Sequence, residues 1–200
     1  MLPVTSLLPS RSEKIMAKFF DEISPKLETF ISKQKMFFVG TAGAEGRVNV
    51  SPKGADAFRV LGPNKVAWLN LTGSGNESSA HVQENGRMTV MFCAFEGAAN
   101  ILRLYGTAKV IHRLDAEWDE LSQLFPENRA SRQVFMLDVD LVQTSCGYSV
   151  PFYDFKEDRE TLDKYFEKKS AKEIENYWVE KNAVTIDGYA TNVAEKSIKA

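Results

Sequence analysis

Two polar loops concentrate the side chains best suited to holding an anion. One is Val50-Ser51-Pro52-Lys53-Gly54, the other Asn70-Leu71-Thr72-Gly73-Ser74-Gly75-Asn76-Glu77-Ser78-Ser79. Glycines at 73 and 75 can take φ > 0 and let backbone amides converge, and Ser78 and Ser79 add hydroxyl donors. The run from Glu77 to Asn85 has the pattern of a short helix, whose unpaired first N–H groups would face the same spot. Lys53 and Arg103 can bring full positive charge to it. The set suits a phosphate, while the same Gly, Ser and Asn residues also build ordinary turns. Neither Gly-x-x-x-x-Gly-Lys-Ser/Thr nor a strand-to-helix Gly-x-Gly-x-x-Gly is present, so both common nucleotide signatures are missing. A second set, Ser145-Cys146-Gly147, offers a thiol. A thiolate nucleophile needs a cationic neighbour, and none is adjacent in sequence. A packing role, with Gly147 allowing close approach to a ligand, is the simpler reading, and no catalytic residue is assigned. His81 and His112, without clustered cysteines, show no metal-ligand spacing.

These residues must be positioned by strands and a few helices. Ser10-Arg11-Ser12-Glu13 has capping-box spacing, and Ile15, Phe19, Phe20 and Ile23 then recur at helical intervals, predicting a helical arm over about 10–34 that is broken and recapped at Ser24-Pro25. Met36 to Thr41 reads as a strand, Gly43-Ala44-Glu45-Gly46 as a turn, and Arg47 to Ser51 as the returning strand, with Val48 and Val50 on its apolar face. Pro52 closes that strand because it cannot donate to a ladder. Lys53 then projects into a cleft, apart from the 73–79 loop. Phe58–Leu61 and Lys65–Leu71 form a hairpin across Gly62-Pro63-Asn64, and Met88–Phe95, Leu102–His112 and Gln133–Thr144 supply further strands. Asp115 is placed as the cap of a helix carrying Trp118, Leu121, Leu124 and Phe125. A charged helical tail with an aromatic docking face follows over about 157–181. The expected fold is mainly β with peripheral helices (α+β): one domain over 1–200, its six-stranded antiparallel barrel spanning about 36–150.

Two hundred residues with 44% hydrophobic and 26% charged side chains suit a soluble domain with a sizeable core. The net charge of −2 argues against nucleic acid or an anionic membrane as the main partner. No apolar run approaches the ~20 residues of a spanning helix. Prolines at positions 3 and 9 interrupt the stretch where a signal peptide needs continuous apolar residues. Cys93 and Cys146 form no secreted disulfide framework, and Cys93 reads as a small buried apolar residue. The expected location is the cytoplasm.

Four ordered stretches resemble the pyridoxamine 5'-phosphate oxidase-like family of FMN-binding split barrels. They are Val48-Asn49-Val50-Ser51-Pro52-Lys53-Gly54, the run from Gly73 to Arg87, Ile101-Leu102-Arg103-Leu104-Tyr105-Gly106, and Gln143-Thr144-Ser145-Cys146-Gly147-Tyr148-Ser149-Val150-Pro151. The resemblance covers about residues 30 to 155. It implies a split β-barrel homodimer with FMN in a cleft contacted by both subunits. It also implies that Asn76, Glu77 and Ser78, beside Gly75, meet the FMN phosphate, Glu77 through its backbone N–H. Val50 and Ser51 would pass along the isoalloxazine, Asn70 would orient the cofactor, Arg103 would be a second cation, and Ser145, Cys146 and Gly147 would pack near the flavin. Lys53 is assigned to a substrate phosphate, such as that of pyridoxamine or pyridoxal 5'-phosphate. The family's enzymes carry a C-terminal strand with Trp, Arg and His residues over the flavin, whereas this chain turns Asp/Glu/Lys-rich after Tyr153. An FMN-dependent oxidoreductase is therefore weighed against a non-catalytic FMN-binding protein for storage, sensing or partner contact. Deazaflavin F420 and haem are kept as alternative cofactors.

Overall fold

The computed structural model describes residues 17–199. Its strands are β1 (Lys18–Phe20), β2 (Phe37–Thr41), β3 (Asn49–Lys53), β4 (Phe58–Gly62), β5 (Lys65–Leu71), β6 (Arg87–Cys93), β7 (Ile101–His112) and β8 (Ser131–Ser145). All pair antiparallel in one sheet, in the order β3-β2-β6-β7-β8-β5-β4, with β1 added to β8. This is the expected class, a mainly antiparallel split barrel with peripheral helices. The sheet has eight strands rather than six. Two long strands run through it, and β8 splits one side between two partners: its first half pairs with β5 and Val142–Thr144 with β1.

The helices are α1 (Pro25–Lys33), α2 (Glu77–Asn85), α3 (Trp118–Ser122), α4 (Thr161–Glu167), α5 (Ala171–Tyr177), which runs into a π-turn at Trp178–Asn182, and α6 (Val193–Ser197). Ser24 caps α1 by accepting the Leu27 N–H, and Pro25 fits the first turn, where its missing N–H costs nothing. No helix among the described residues is long and apolar enough to cross a membrane.

Alternation along the strands fills the barrel with Phe37, Val39, Trp68, Val90, Phe92, Leu102, Leu104, Phe135 and Val142, and α1 closes it with Leu27 and Ile31. Trp68 stacks on Phe135 with centroids 4.4 Å apart. The opposite face of β5, β7 and β8 is covered by Leu121 and Phe125. The C-terminal helices build a further cluster from Phe166, Ile174, Trp178 and Val193 around Ala130.

Several expectations need correction. Lys18–Phe20 is strand, not helix, because β8 outruns β5 and its unpaired margin takes up the arm. The capping box at Ser10–Glu13 lies outside the described residues. Pro52 does not end β3, which continues to Lys53; β3 is an end strand of the sheet, where a proline is tolerated. The expected division of this strand into an apolar and a polar face is present: Val48 and Val50 are 73% and 66% exposed, and the polar alternates Asn49, Ser51 and Lys53 turn inward. Asp115 does not cap α3 but accepts the His112 N–H at 2.8 Å in the preceding turn, and α3 stops at Ser122. The tail does not finish near 181 but carries α6 and an isolated bridge, Val184 to Ala190.

Candidate functional site

The inward face of β3 meets the amino end of α2. Asn49, Ser51 and Lys53 share that face by the two-residue period of the strand. Asn76 sits at the helix cap but makes no side-chain cap bond, so the first-turn amides of α2 lack the usual side-chain acceptor. The Asn76 side chain is buried, and its Nδ2 has no partner among the described residues. Ser78 Oγ accepts from Asn49 Nδ2 at 3.1 Å and lies 3.2 Å from Thr41 Oγ1; Asn49 also donates to Ser51 Oγ at 3.1 Å. Thr41 Oγ1 is 3.1 Å from His81 Nδ1, while His81 Nε2 is buried with no partner among the described residues.

Two cations approach the same loop from beneath. Lys53 Nζ donates to Asn70 Oδ1 at 3.4 Å and lies 5.1 Å from the Trp68 ring centroid. Burial, with the Arg132 charge nearby, lowers its pKa to about 8, against a pull upward from Glu77. Arg132 is 2% exposed; Nη2 donates to the Gly75 carbonyl at 3.1 Å, and Nε and Nη1 have no partner among the described residues. Burial lowers its pKa to about 10, opposed by Glu77 and Tyr177. Glu77 is thus the carboxylate acting on both cations, and its carboxylate end lies against Gly75. Neither Gly73 nor Gly75 has the positive φ expected of them.

A buried polar relay holds this arrangement. Asn70 Nδ2 donates to Gln133 Oε1 at 3.1 Å and, more weakly, to Asn76 Oδ1 at 3.4 Å. Gln133 Nε2 donates to Ser79 Oγ at 2.9 Å and faces His112 Nδ1 at 3.3 Å. Burial lowers the His112 pKa to about 4, so its ring is neutral. Ser79 in turn donates to the Thr191 carbonyl at 3.0 Å. The tail grips the loop at further points: Trp178 Nε1 to Thr72 Oγ1 at 2.9 Å, Asn182 Nδ2 to the Gly73 carbonyl at 2.9 Å, and Asn192 Nδ2 to Gln83 Oε1 at 2.7 Å. Asp187 accepts from the Arg47 backbone and pairs with its guanidinium.

Of the residues expected from sequence, Ser51, Lys53, Asn70, Gly75, Asn76, Glu77 and Ser78 come together. Lys53 reaches the loop side after all, because β3 continues through Pro52 and delivers it to Asn70. Val50 lies on the opposite face from Ser51. Arg103 is also on that outer face, in the cross-strand row Pro52–Phe38–Met91–Arg103–Gln143, and donates to Ser145 Oγ at 3.2 Å. It does not join the loop. Gly147 (φ +63°) makes its close approach to the backbone of Asn100, where a Cβ would come within 3.0 Å. Cys146 is partly exposed, and Cys93 is buried, its thiol pushed up by that burial. Sequence reasoning missed Arg132 and Gln133. Their signal is a polar pair opening the otherwise apolar run Val134-Phe135-Met136-Leu137. Among the described residues no group of three or more His, Cys, Asp or Glu side chains is placed to hold a metal ion.

The family model described as pyridoxamine 5'-phosphate oxidase matches residues 23–146, more than half of the chain. The chain belongs to the pyridoxamine 5'-phosphate oxidase family. A family protein of Aspergillus flavus, ustO, is 41% identical over 156 residues, 73% of this chain. The chain spans 61% of that relative's length. A solved structure of a candidate pyridoxamine 5'-phosphate oxidase from Lactobacillus delbrueckii matches with a TM-score of 0.50 at 18% identity, over 62% of this chain and 94% of that one, and shows the shared fold. HutZ, described as the heme storage protein of Vibrio cholerae, is 18% identical over 60% of this chain and 92% of its own, with a TM-score of 0.43. That likeness is too distant to weigh on the cofactor.

The residues at the loop fit the phosphate of FMN. Lys53 and Arg132 share the influence of one carboxylate, so a net positive charge is left beside an uncapped helix end. The orphaned nitrogens of Arg132 and Asn76 supply donors that the protein alone does not satisfy.

Proposed function

We propose that this protein binds FMN and acts as an FMN-dependent oxidoreductase, with phosphorylated pyridoxine or pyridoxamine as candidate substrates, working as a homodimer in the cytoplasm. The observation that carries the reading is Arg132, a buried guanidinium with two unpartnered nitrogens behind the amino end of α2. Buried polar groups are almost always paired, so such a cation points to an anionic ligand. Lys53, Arg132, Ser78 and the first amides of α2 would hold the phosphate. Glu77 would swing away from it and contribute only its backbone N–H. Asn70, locked by Gln133, orients Lys53, and Ser51 stands on the same inward strand face. When bound, FMN supplies the hydride acceptor that no side chain provides.

Homodimerisation is supported by the outer face of β3, where Val48 and Val50 are left exposed. A two-fold partner laid there would cover them with the same surface of a second copy. Purification as a yellow protein, quenching of flavin fluorescence on titration and a raised Tm with FMN are the expected results. A colourless protein that takes up no FMN by calorimetry overturns the reading. Oxidation of pyridoxine 5'-phosphate under oxygen then separates an enzyme from a protein that only stores or senses the flavin.

A further inference from the structure

A cleft of about 750 Å³ lies on the far side of Trp178 from the Gly73–Ser79 loop, between α3, the chain leading into β8, and α5. It shares no residue with the candidate FMN site. Its volume falls in the range of small-molecule sites, about 300–1,000 Å³. The apolar lining is Trp118, Phe125 and Ile174 with the fully buried Trp178, and Arg113 brings charge. The Arg113 guanidinium lies 5.7 Å from the Trp118 ring centroid and 5.1 Å from that of Trp178. No side-chain or backbone acceptor among the described residues takes a hydrogen bond from it, and its Nε is buried without a partner. The other cation on the wall is already engaged: Arg129 donates to the Lys169 carbonyl at 2.8 Å. Glu175, the carboxylate that acts on Arg113, is paired with Lys172 at 3.4 Å.

We propose that this cleft binds a small aromatic monocarboxylate, its anionic head on Arg113 and its flat body along Trp118, Phe125 and Ile174. A guanidinium flanked by indole faces keeps its in-plane donors free, which suits a planar two-oxygen acceptor. The carboxylates of Glu127 and Glu175 also line the cleft. They oppose a dianion such as phosphate more than a monoanion.

The test titrates the full-length protein with 3-phenylpropanoate, with its uncharged amide and with inorganic phosphate. Calorimetry and tryptophan emission are read with and without saturating FMN. The acid should bind one site per chain, about tenfold or more tighter than the amide, the margin of one charge-assisted hydrogen bond. It should bind whether or not FMN is present. Arg113→Met should bring acid and amide to equal affinity, and Arg113→Lys should restore part of the difference. If the variants do not fold, slowed amide exchange over 118–131 and 171–178 in the wild-type protein with the acid locates the site directly. No saturable binding of the acid, equal affinity for acid and amide, preference for phosphate, or displacement by FMN overturns the proposal. FMN binding itself can fail or succeed independently of the first three.

Discussion

Arg132 illustrates how a single side chain can be costly and useful at once. A buried guanidinium with unpaired nitrogens destabilises the ligand-free fold, and the same nitrogens are what an anion would satisfy. Arg132→Met should therefore leave the Tm of the ligand-free protein equal or higher while weakening FMN about ten- to a hundredfold. That is the loss expected for a charged hydrogen bond of about 1.5–3 kcal/mol, read by flavin fluorescence beside a melting curve. Lys53 makes the site sensitive to alkali. Its pKa is lowered from 10.5 to about 8 in the fold. Between those values the unfolded chain holds the proton that the folded chain has released, so this group makes stability rise with pH across that window. FMN affinity should run the opposite way and fall as pH passes 8, because the phosphate then loses a cationic partner. Lys53→Met should flatten both profiles. Ser78 was legible from its hydroxyl beside the glycine loop, Ser51 and Asn70 only through the resemblance, and Lys53 was expected apart from the loop because Pro52 was read as the end of its strand. Arg132 was not legible, since a polar pair at the start of an apolar strand does not show which way it faces until the barrel closes round it.

At the scale of elements, α2 and the C-terminal tail act as one support for the loop. The bounds of α2 were plain from sequence: Glu77 opens it, and Gly86, in the left-handed conformation, ends it. The arm before α1 misled because Phe19 and Phe20 sit at helical spacing, and only the unpaired length of β8 decides that they form a strand. β3 was legible only in part. Alternation locates two faces but not which one is inward, and here the polar face turns to α2 while the valines turn out. The grip of the tail also lay beyond reach, since its contacts join residues more than a hundred positions apart, as in Trp178 to Thr72. Trp178 is fully buried. Trp178→Phe removes its hydrogen bond and part of its packing and should cost about 1–3 kcal/mol by chemical denaturation. It should weaken FMN as well, because the loop loses one of its anchors. A variant that loses stability without any change in FMN affinity would show that the tail supports the fold but not the site.

For the whole molecule, the exposed valines of β3 set the expectation for assembly. Val50→Lys places a charge on the face assigned to the second copy and should shift the protein to monomer by light scattering, with FMN affinity reduced because the cleft loses its second wall. A wild-type protein that is already monomeric with FMN bound sinks the assembly reading. Strand β3 is also one of the two end strands of the sheet, and it carries Pro52 within it. A residue without an N–H leaves a gap in the row of donors along that margin, so an extended chain arriving there meets an interrupted ladder. The same short strand therefore invites company on its broad surface and refuses it along its rim. Copies of this protein can lie against one another without stitching their sheets into a growing ribbon.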